Sequence, residues 1–419
     1  MTTNYVFRLK DCILGAQFLF VAFGALVLMP ILTGLDTSVA LFTAGVGTLI
    51  FQFICRKKVV PIFLASSFAF IAPISFAIQE WGLSAAMGGV FVAGLAYSAF
   101  SFVVRCKGFE FIDKILPAIV VGPVIMTIGL VLSPNAVSMA FPDINSLAKY
   151  QILNPNFTQK DAIIIAFISL LVTLTTIMFA KGILKLIPIL CGVVAGYAIS
   201  VFYGIVDFEV VKSAPWFAIP NFTTPTFKLD AILYMIPVII APIIEHIGNV
   251  IAISNVTKEN FIKNPGLENT LLGDGIATSA AALVAGPPCT TYAEVTGAVR
   301  LTKAFNPAIM TWSAIVAIIL AFVGKLGALI ASIPGCVLGG IMILLFGIIA
   351  SVGMESLIKA KVDMDEPRNM IIIALILVPA LGGMVLDFGF ASFSQIGLGA
   401  ILGVSLNLIL PKTKQLTKD

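Results

Sequence analysis

The charged residues of this chain fall almost entirely in the gaps between long apolar segments. Fourteen such segments can be counted along the 419 residues. A helix that crosses a lipid bilayer needs roughly 20 consecutive apolar residues. Only 11% of the residues are charged, whereas a soluble domain carries about 25%. The pattern excludes a soluble enzyme and a disordered chain, and it predicts an all-α polytopic membrane protein with 14 transmembrane segments.

The distribution of Lys and Arg predicts the orientation of the segments. If the N-terminus lies in the cytoplasm and the segments alternate, 20 of the 25 basic residues fall on the inside. The other five are Lys149, Lys160, Lys212, Lys228 and Lys325. Since cytoplasmic loops are enriched in basic residues, the sequence predicts an even number of spans with both termini cytoplasmic. The protein is expected in the cell membrane, the inner membrane of a cell that has two.

Two of the apolar segments are interrupted. Segment 3 (60–78) contains Pro61 and Pro73, and segment 10 (289–301) follows Pro287-Pro288 and has only about 13 residues. A helix of 13 residues rises about 20 Å, which is too short to cross a bilayer. An extended stretch followed by a half-helix would be long enough, and such breaks occur where the backbone lines a polar cavity.

The two interrupted segments resemble each other. The stretch 66–69 (SSFA) is similar to 290–293 (TTYA), and 45–47 (GVG) in the preceding segment is similar to 273–275 (GDG). Segment 3 is third in the chain and segment 10 is third after segment 7, which indicates a repeat of seven segments. Because seven is odd, the second copy is inverted in the membrane. Broken segments at matching positions of inverted halves indicate a transporter binding site.

Two carboxylates lie within apolar segments, whereas nearly all other acidic residues lie in loops or at segment ends. Glu245 is in segment 8, in IIEHIGN, and Glu294 is in segment 10, after TTYA. A charged side chain at the centre of a bilayer costs several kcal/mol unless it is paired or neutralised. Either residue can be a structural hydrogen-bonding group between helices. The alternative is a substrate or proton site, because burial favours the neutral form of a carboxyl group and allows proton exchange near neutral pH.

Three further polar residues lie within or at the ends of apolar segments. His246, the only histidine, follows Glu245 and points about 100° away from it on a helix, so it is a buried polar support or part of a proton path. Asn249, four residues after Glu245, shares its helix face and is the better candidate for the ligand side. Asp274 is flanked by glycines and is expected to anchor a turn or cap a helix. No cluster of metal ligands, no nucleophile–base motif and no phosphate-binding loop is present in the sequence, which argues against an enzyme or an ATP-driven pump.

The residues resemble those of the nucleobase–cation symporters of the nucleobase–ascorbate transporter group, and among them the bacterial uracil permeases. The landmarks are AQFLFVAFGALVLMPIL (16–32), SSFAFIAPI (66–74), EHIGN (245–249), TTYAEVTGAVRLTK (290–303) and GGIMILLFGIIASVG (339–353). The resemblance covers nearly the whole chain.

The resemblance implies a 7+7 inverted-repeat fold with short strands in segments 3 and 10. Segments 1–4 (1–115) and 8–11 (231–331) would form a core domain. Segments 5–7 (116–230) and 12–14 (332–419) would form a gate domain. A homodimer and movement of the core against the gate are also implied.

The resemblance further implies a nucleobase site between the two half-helices. Glu245 and Glu294 would hold the base, and backbone groups near Phe68 and Ala293 would complete its hydrogen bonds. The residues that would pack around the base are Ala25, Tyr292 and Phe346. Proton coupling would involve Glu245, Glu294, His246 and Asn249. No cofactor is expected, and the coupling ion would be H⁺, with Na⁺ as the alternative.

The sequence departs from the family pattern at four positions, where Phe18, Asn249, Val295 and Phe346 replace polar residues. The expected function is proton-coupled uptake of a nucleobase, most directly uracil. A purine (xanthine-type) permease is one alternative, and a small-anion carrier with the same fold is another. The two glutamates argue against an anion because fixed negative charge repels it. The expected partners are the small-molecule substrate and membrane lipid, with no nucleic acid.

Overall fold

The computed structural model describes residues 3–108, 114–387 and 392–411. Helices dominate this part of the chain. The first half contains α1 (Cys12–Val21), α2 (Phe23–Thr33), α3 (Thr37–Ile54), α4 (Ile71–Trp81), α5 (Leu83–Lys107), α6 (Ala118–Ala140), α7 (Ile144–Gln151), α8 (Gln159–Phe179), α9 (Pro188–Phe202) and α10 (Phe208–Ser213). The second half contains α11 (Leu229–Met235), α12 (Ile240–Thr257), α13 (Leu267–Ala282), α14 (Ala293–Thr302), α15 (Ala308–Ala321), α16 (Gly324–Ala331), α17 (Gly335–Lys359), α18 (Pro367–Leu381) and α19 (Gln395–Ile409).

Seven helical stretches within the described residues are long and apolar enough to cross a membrane. They are Leu9–Thr33, Thr37–Ile54, Leu83–Lys107, Ala118–Ala140, Gln159–Phe179, Leu229–Thr257 and Gly335–Lys359. Shorter apolar helices lie between and after them, including α4, α9, α15, α18 and α19. Large apolar side chains point outward from several of these helices, such as Phe167 and Phe179 on α8. An apolar outer surface is what a lipid environment requires.

Each of the two interrupted segments forms a strand followed by a short helix. Strand β1 (Leu64–Ser66) precedes α4, and strand β2 (Cys289–Thr291) precedes α14. The strands pair antiparallel, with Ala65 opposite Thr290. Pro287 and Pro288 directly precede β2 and favour an extended chain here, because they have no N–H group for a helical bond. The carbonyl of Pro288 instead accepts a hydrogen bond from the N–H of Ser67 at 2.9 Å.

Hydroxyl groups of neighbouring helices satisfy further backbone groups of this two-stranded sheet. The N–H of Leu64 donates to Thr48 on α3 at 2.9 Å. Thr278 on α13 donates to the carbonyl of Cys289 at 2.9 Å and accepts from its N–H at 3.2 Å. An unpaired backbone group in an apolar interior costs several kcal/mol, so these threonines allow a strand to exist at this depth. A second pair of strands, β3 (Val385–Asp387) and β4 (Ser392–Ser394), lies just before α19.

The helices pack in two groups. In one group α3 contacts α13 and α15, α1 contacts α15, and α5 contacts α13 and α11. In the other group α6 contacts α17, α18 and α19, and α8 contacts α9 and α17. Glycines allow the closest approaches: a Cβ atom on Gly94 of α5 would lie only 2.7 Å from the backbone nitrogen of Ser279 and 2.8 Å from the carbonyl oxygen of Gly275. The glycines thus allow the backbones of α5 and α13 to pack directly against each other.

Two long polar connections between the apolar segments, 136–160 and 207–230, contain short helices that the hydropathy pattern does not reveal. Helix α7 begins after Asp143, whose carboxylate accepts the N–H of Ser146 at 2.9 Å, and α10 begins after Asp207, which caps Glu209 in the same way. An aspartate at this position satisfies a backbone donor that the helix itself leaves free. Helices of eight and six residues are too short to produce a clear apolar repeat.

Candidate functional site

The starts of α4 and α14 lie at the ends of the paired strands, so the two half-helices begin close together. Ser67 directly precedes the helical turn that leads into α4, and Tyr292 directly precedes α14. Neither side chain accepts a hydrogen bond from the backbone N–H groups of the helix start. The first turn of a helix has N–H groups without helical partners and carries a partial positive charge. The arrangement therefore directs two sets of hydrogen-bond donors toward one region.

Three buried aromatic rings surround this region. The ring of Phe68 stands edge-on to Tyr292 and to Phe346, with 6.2 Å between centroids in both cases. Phe68 and Tyr292 come from the two interrupted segments, whereas Phe346 comes from α17 in the other group of helices. Aromatic rings at these distances give a large, rigid contact area suited to a planar ligand.

The two intramembrane glutamates lie on helices that pack against each other, α12 for Glu245 and α14 for Glu294. Both side chains are half-buried, and the two carboxyl groups are close enough to interact electrostatically. Within the described residues, the Oε2 atom of Glu245 and the hydroxyl of Tyr292 are buried without a hydrogen-bond partner. Buried polar groups are normally paired, so these atoms are available for groups that a ligand supplies.

Ala293 and Ala25 complete the predicted binding residues. Ala293 is the first residue of α14 and is exposed. It starts a surface strip of α14 that continues through Gly297 and Leu301, at intervals of four residues. Ala25 lies within α2, but its side chain is outside the described part of the molecule. The structure thus brings Phe68, Tyr292 and the Glu245–Glu294 pair together with Phe346.

A cavity of about 360 Å³ lies at the C-terminal end of α14. Its lining residues come from α1, from α14 and from the segment before α9: Gln17, Gly182, Lys185, Leu186, Leu301 and Thr302. Leu301 therefore belongs both to the exposed strip of α14 and to the cavity. The strip leads from the start of the half-helix toward this opening.

His246 is fully buried and lies in a hydrogen-bond network. Its Nδ1 atom is 2.8 Å from Oδ2 of Asp274, and its Nε2 atom is 2.9 Å from Oγ1 of Thr270. Both partners belong to α13. The structure shows His246 as a buried polar group that joins α12 to α13.

Asn249 does not face the ligand side as its spacing from Glu245 had suggested. Its amide nitrogen donates to the main-chain carbonyl of Thr291 at 2.7 Å and lies 3.3 Å from the hydroxyl of Thr291. The side chain is only 6% exposed. Strand β2 passes close to this face of α12, so the amide of Asn249 donates to a carbonyl of the strand instead of pointing into an open cavity. Asn249 therefore connects α12 to the strand.

The expectation for Asp274 was wrong. It lies in the middle of α13 instead of at a turn or cap, and it is fully buried. Besides His246, its Oδ2 atom is 3.3 Å from the hydroxyl of Thr290 and 3.5 Å from that of Tyr97. The adjacent glycines serve close helix packing, because a Cβ atom on Gly275 would meet the backbone of α5. The sequence signal that could have indicated this buried contact is an acidic residue within an apolar segment, 28 positions after the only histidine of the sequence.

The described residues hold no group of three or more His, Cys, Asp or Glu side chains that could bind a metal ion. The carboxyl groups of Glu245 and Glu294 and the N–H groups of the helix starts are single hydrogen-bonding groups beside the aromatic rings. Such an arrangement recognises a small planar molecule with its own N–H and C=O groups.

Comparison with known proteins identifies the family. Residues 9–388 match a permease family model, Xan_ur_permease. The chain is 54% identical over 407 residues to a probable uracil permease of Haemophilus influenzae, covering 97% of this chain and 96% of that protein. It is 41% identical over 412 residues to the uracil permease of Bacillus subtilis, covering 96% and 93% of the two chains.

Solved structures with a similar fold belong to membrane transporters. The transmembrane domain of the cyanobacterial bicarbonate transporter BicA aligns with a TM-score of 0.65 at 18% identity, covering 96% of this chain and 97% of that one. Murine Slc26a9, an anion transporter in the inward-facing state, aligns with a TM-score of 0.70 at 12% identity, covering 96% and 68% of the two chains. At this identity the likeness concerns the fold alone. The long apolar helices, the paired half-helices and the full-length match together place this multi-pass membrane protein in the Xan_ur_permease family of permeases.

Proposed function

We propose that the protein is a permease that carries uracil across the membrane. The observation that carries the proposal is the near-full-length identity to proteins described as uracil permeases, at 54% and 41%. Uracil is a flat ring with two N–H groups and two carbonyl groups. The site offers complementary chemistry, since carboxylates accept hydrogen bonds and the helix N-termini donate them.

In the bound complex, Glu245 would accept an N–H group of the base through its unpartnered oxygen. The Tyr292 hydroxyl is a second free polar group, and the backbone N–H groups at Phe68 and Ala293 would donate to the carbonyls. The rings of Phe68 and Phe346 would cover the flat faces or edges of the base. Glu294, in the first turn of α14, would complete the polar side of the site. Ala25 is proposed as a further packing residue.

The proposed arrangement in the membrane has 14 segments as a 7+7 inverted repeat, with both termini in the cytoplasm and the chain in the cell (inner) membrane. The core domain would comprise 1–115 and 231–331, and the gate domain 116–230 and 332–419. This division is supported by the two groups of helices, because α3, α13 and α15 pack together and α6, α17 and α18 pack together. A homodimer through the gate domain is the proposed assembly.

Transport would use alternating access, in which one group of helices moves as a rigid body against the other. Phe346 on α17 contacts Phe68 of the other group, so the site lies at the boundary between the two. The exposed strip of α14 and the cavity at Leu301 and Thr302 would form the route to the cytoplasm. Uptake would be coupled to H⁺, with Na⁺ as the alternative ion. Glu245, Glu294, His246 and Asn249 are the candidates for the coupling path.

An anion carrier is the second candidate, and the fold likeness to BicA and Slc26a9 is the observation that favours it. The two carboxylates at the site oppose it, because they would repel an anion at close range. A purine permease is distinguished by size, since a purine has a second ring that the aromatic wall would have to accommodate.

Uptake of radiolabelled uracil in cells that lack their own uracil permease tests the proposal. Cells that make the protein should accumulate uracil, and an uncoupler that removes the proton gradient should abolish accumulation. Xanthine and bicarbonate in excess serve as competitors, and neither should reduce the uptake. Absence of uracil uptake in cells that contain the folded protein would rule the function out, and competition by xanthine or bicarbonate would favour the corresponding alternative.

A further inference from the structure

A second polar cluster lies beside strand β2, centred on the buried pair of His246 and Asp274. The two side chains are 0% exposed, and the ring of Phe51 stands edge-on to the imidazole with 6.4 Å between centroids. The pair is therefore sealed within the helices. A charge in such a place persists only with close, well-aligned partners.

The hydrogen-bond pattern around His246 can accommodate one proton more than a neutral histidine carries. While the hydroxyl of Thr270 donates to the carbonyl of Leu267 at 3.0 Å, its oxygen can accept from Nε2–H of the imidazole at 2.9 Å. The Nδ1 atom faces a carboxylate oxygen of Asp274 at 2.8 Å, which also requires a proton between the two atoms. A neutral imidazole carries one N–H group only. In that orientation of the Thr270 hydroxyl, the pair holds one additional proton, on the imidazole or on the carboxyl group.

Loss of that proton requires little movement. If Nε2 is deprotonated, the hydroxyl of Thr270 can rotate away from the Leu267 carbonyl and donate to Nε2 instead. The Nδ1–H group then still donates to Asp274. The heavy atoms can stay where they are, so the pair can gain or release a proton without unpacking the helices. In the process the net charge of the pair changes from zero to minus one.

Hydrogen bonds connect the pair to the binding region through strand β2. Thr290 donates to Oδ2 of Asp274 at 3.3 Å, and the hydroxyl of Thr291 lies 3.4 Å from Nδ1 of His246. Asn249 holds the carbonyl of the same Thr291. The next residue is Tyr292, which contacts Phe68 and precedes α14. A change in the charge of the pair would therefore act directly on the hydroxyl groups of Thr290 and Thr291, which belong to the strand that positions the site.

The other titratable groups that face Asp274 come from each element packed around it. They are Tyr97 on α5, Cys55 at the end of α3, Cys289 on β2 and Glu245 on α12, and Glu268 on α13 faces Cys55 from the same side. None of these side chains is cationic. Uptake of a proton by the pair therefore removes one negative charge from a cluster that also contains the carboxyl groups of Glu245 and Glu268.

We propose that His246 and Asp274 form the site at which the co-transported proton is held, and that the proton acts on the substrate through Thr290 and Thr291 of strand β2. The inference rests on the proposed uracil transport and narrows its coupling path to a pair that does not touch the substrate. His246 and Asp274 are thus positioning residues. Because coupling between two sites is reciprocal, bound uracil must also favour the protonated pair.

The single histidine allows a direct test on the unmodified protein. We suggest labelling histidine with ¹⁵N, purifying the protein with a histidine-free affinity tag, and recording the imidazole ¹⁵N signals in lipid nanodiscs over a pH series. Addition of uracil is expected to shift the imidazole toward the form with two N–H groups at fixed pH. Identical protonation of His246 with and without uracil at every pH would overturn the proposal.

Transport by two variants in proteoliposomes provides the second test. His246→Gln and Asp274→Asn keep hydrogen-bonding side chains but cannot form the proton-holding pair. Both are expected to retain exchange of internal for external uracil and to lose accumulation driven by a pH gradient. Accumulation that persists in either variant would contradict the proposal. Binding of radiolabelled uracil to the wild-type protein is measured in the same samples, so that failure of the proposed function, which is no binding, is distinguished from failure of this inference.

Discussion

The side-chain amide of Asn249 donates to the main-chain carbonyl of Thr291 at 2.7 Å and so attaches helix α12 to strand β2. The bond joins the helix that carries Glu245 to the strand that leads into α14. Loss of a buried hydrogen bond that leaves its partner unpaired costs about 1–3 kcal/mol. The relative position of the two glutamates therefore depends on this contact.

Replacement of this asparagine should weaken uracil binding. In Asn249→Ala the carbonyl of Thr291 loses its partner and the strand can shift, so we expect the dissociation constant for uracil to rise about tenfold, equivalent to about 1.4 kcal/mol. Asn407→Ala is the matched control, because Asn407 is equally buried and donates to the carbonyl of Lys114 at 2.8 Å, remote from the site. Both variants should melt at lower temperature, but only Asn249→Ala should bind uracil less well. Equal effects of the two variants on affinity would contradict the account.

Neutralising the carboxyl groups should abolish uptake. Glu245→Gln replaces one carboxylate oxygen by an amide that donates instead of accepting, so an N–H group of the base would face another donor. We expect a loss of at least about 100-fold in uptake, corresponding to about 2.7 kcal/mol, and a similar loss for Glu294→Gln. Glu355→Gln on α17 is the control, since that glutamate is exposed and pairs with Lys359. Normal uptake by Glu245→Gln would remove this residue from the site.

The pairing of the two strands can be tested with a cysteine that the protein already has. Ser66 lies directly opposite Cys289 in the antiparallel pair, and facing residues in such a pair have Cα atoms about 4.5–5.5 Å apart, within the range for a disulfide. We expect Ser66→Cys to form a disulfide with Cys289 on oxidation and to retain uracil exchange, because both strands belong to the same moving unit. The double variant with Cys289→Ser should not cross-link. Transport that is lost on oxidation and restored by a reductant would show that the strands separate during the cycle.

Two helical glycines should respond differently to the addition of a methyl group. A Cβ on Gly94 would overlap the backbone of α13, whereas a Cβ on Gly297 would meet no atom within 4 Å. Gly94→Ala should therefore lower the melting temperature of the purified protein by separating α5 from α13. Gly297→Ala should leave it unchanged or raise it, since alanine is the better helix former by about 1 kcal/mol. A destabilised Gly297→Ala variant would mean that the strip on α14 is packed instead of open.

The N-terminal segment should detach from the rest of the protein in acid. The Thr3 hydroxyl donates to Glu259 at 2.6 Å, and Lys58 lies 3.1 Å from the same oxygen. These hydrogen bonds, first from Thr3 and then from Lys58, hold the pKa of Glu259 below its usual value. Because the pKa is lowered, the stabilisation is present above the ordinary value of about 4.3 and is lost as the pH falls through the lowered value. A difference in melting temperature between wild type and Glu259→Gln should exist at neutral pH and vanish in acid; a difference that grows in acid would contradict this.

Much of the helix pattern could be predicted from sequence, because apolar length and proline positions act locally. Pro287 and Pro288 indicated that segment 10 is not a continuous helix, since neither can donate a backbone hydrogen bond. The pairing of Asp274 with His246 could not be predicted in the same way. It joins two helices through a contact between residues that are 28 positions apart, and such a contact depends on how the helices pack. The orientation of Asn249 also depended on the path of a strand more than 40 residues away.

Equilibrium binding of radiolabelled uracil to the purified protein tests the central claim most directly. We expect saturable binding at one site per chain, displaced by unlabelled uracil and unaffected by bicarbonate, and lost in Glu245→Gln but kept in Glu355→Gln. Wild-type protein that is folded and binds no uracil, or that binds it equally well after Glu245→Gln, would contradict the account.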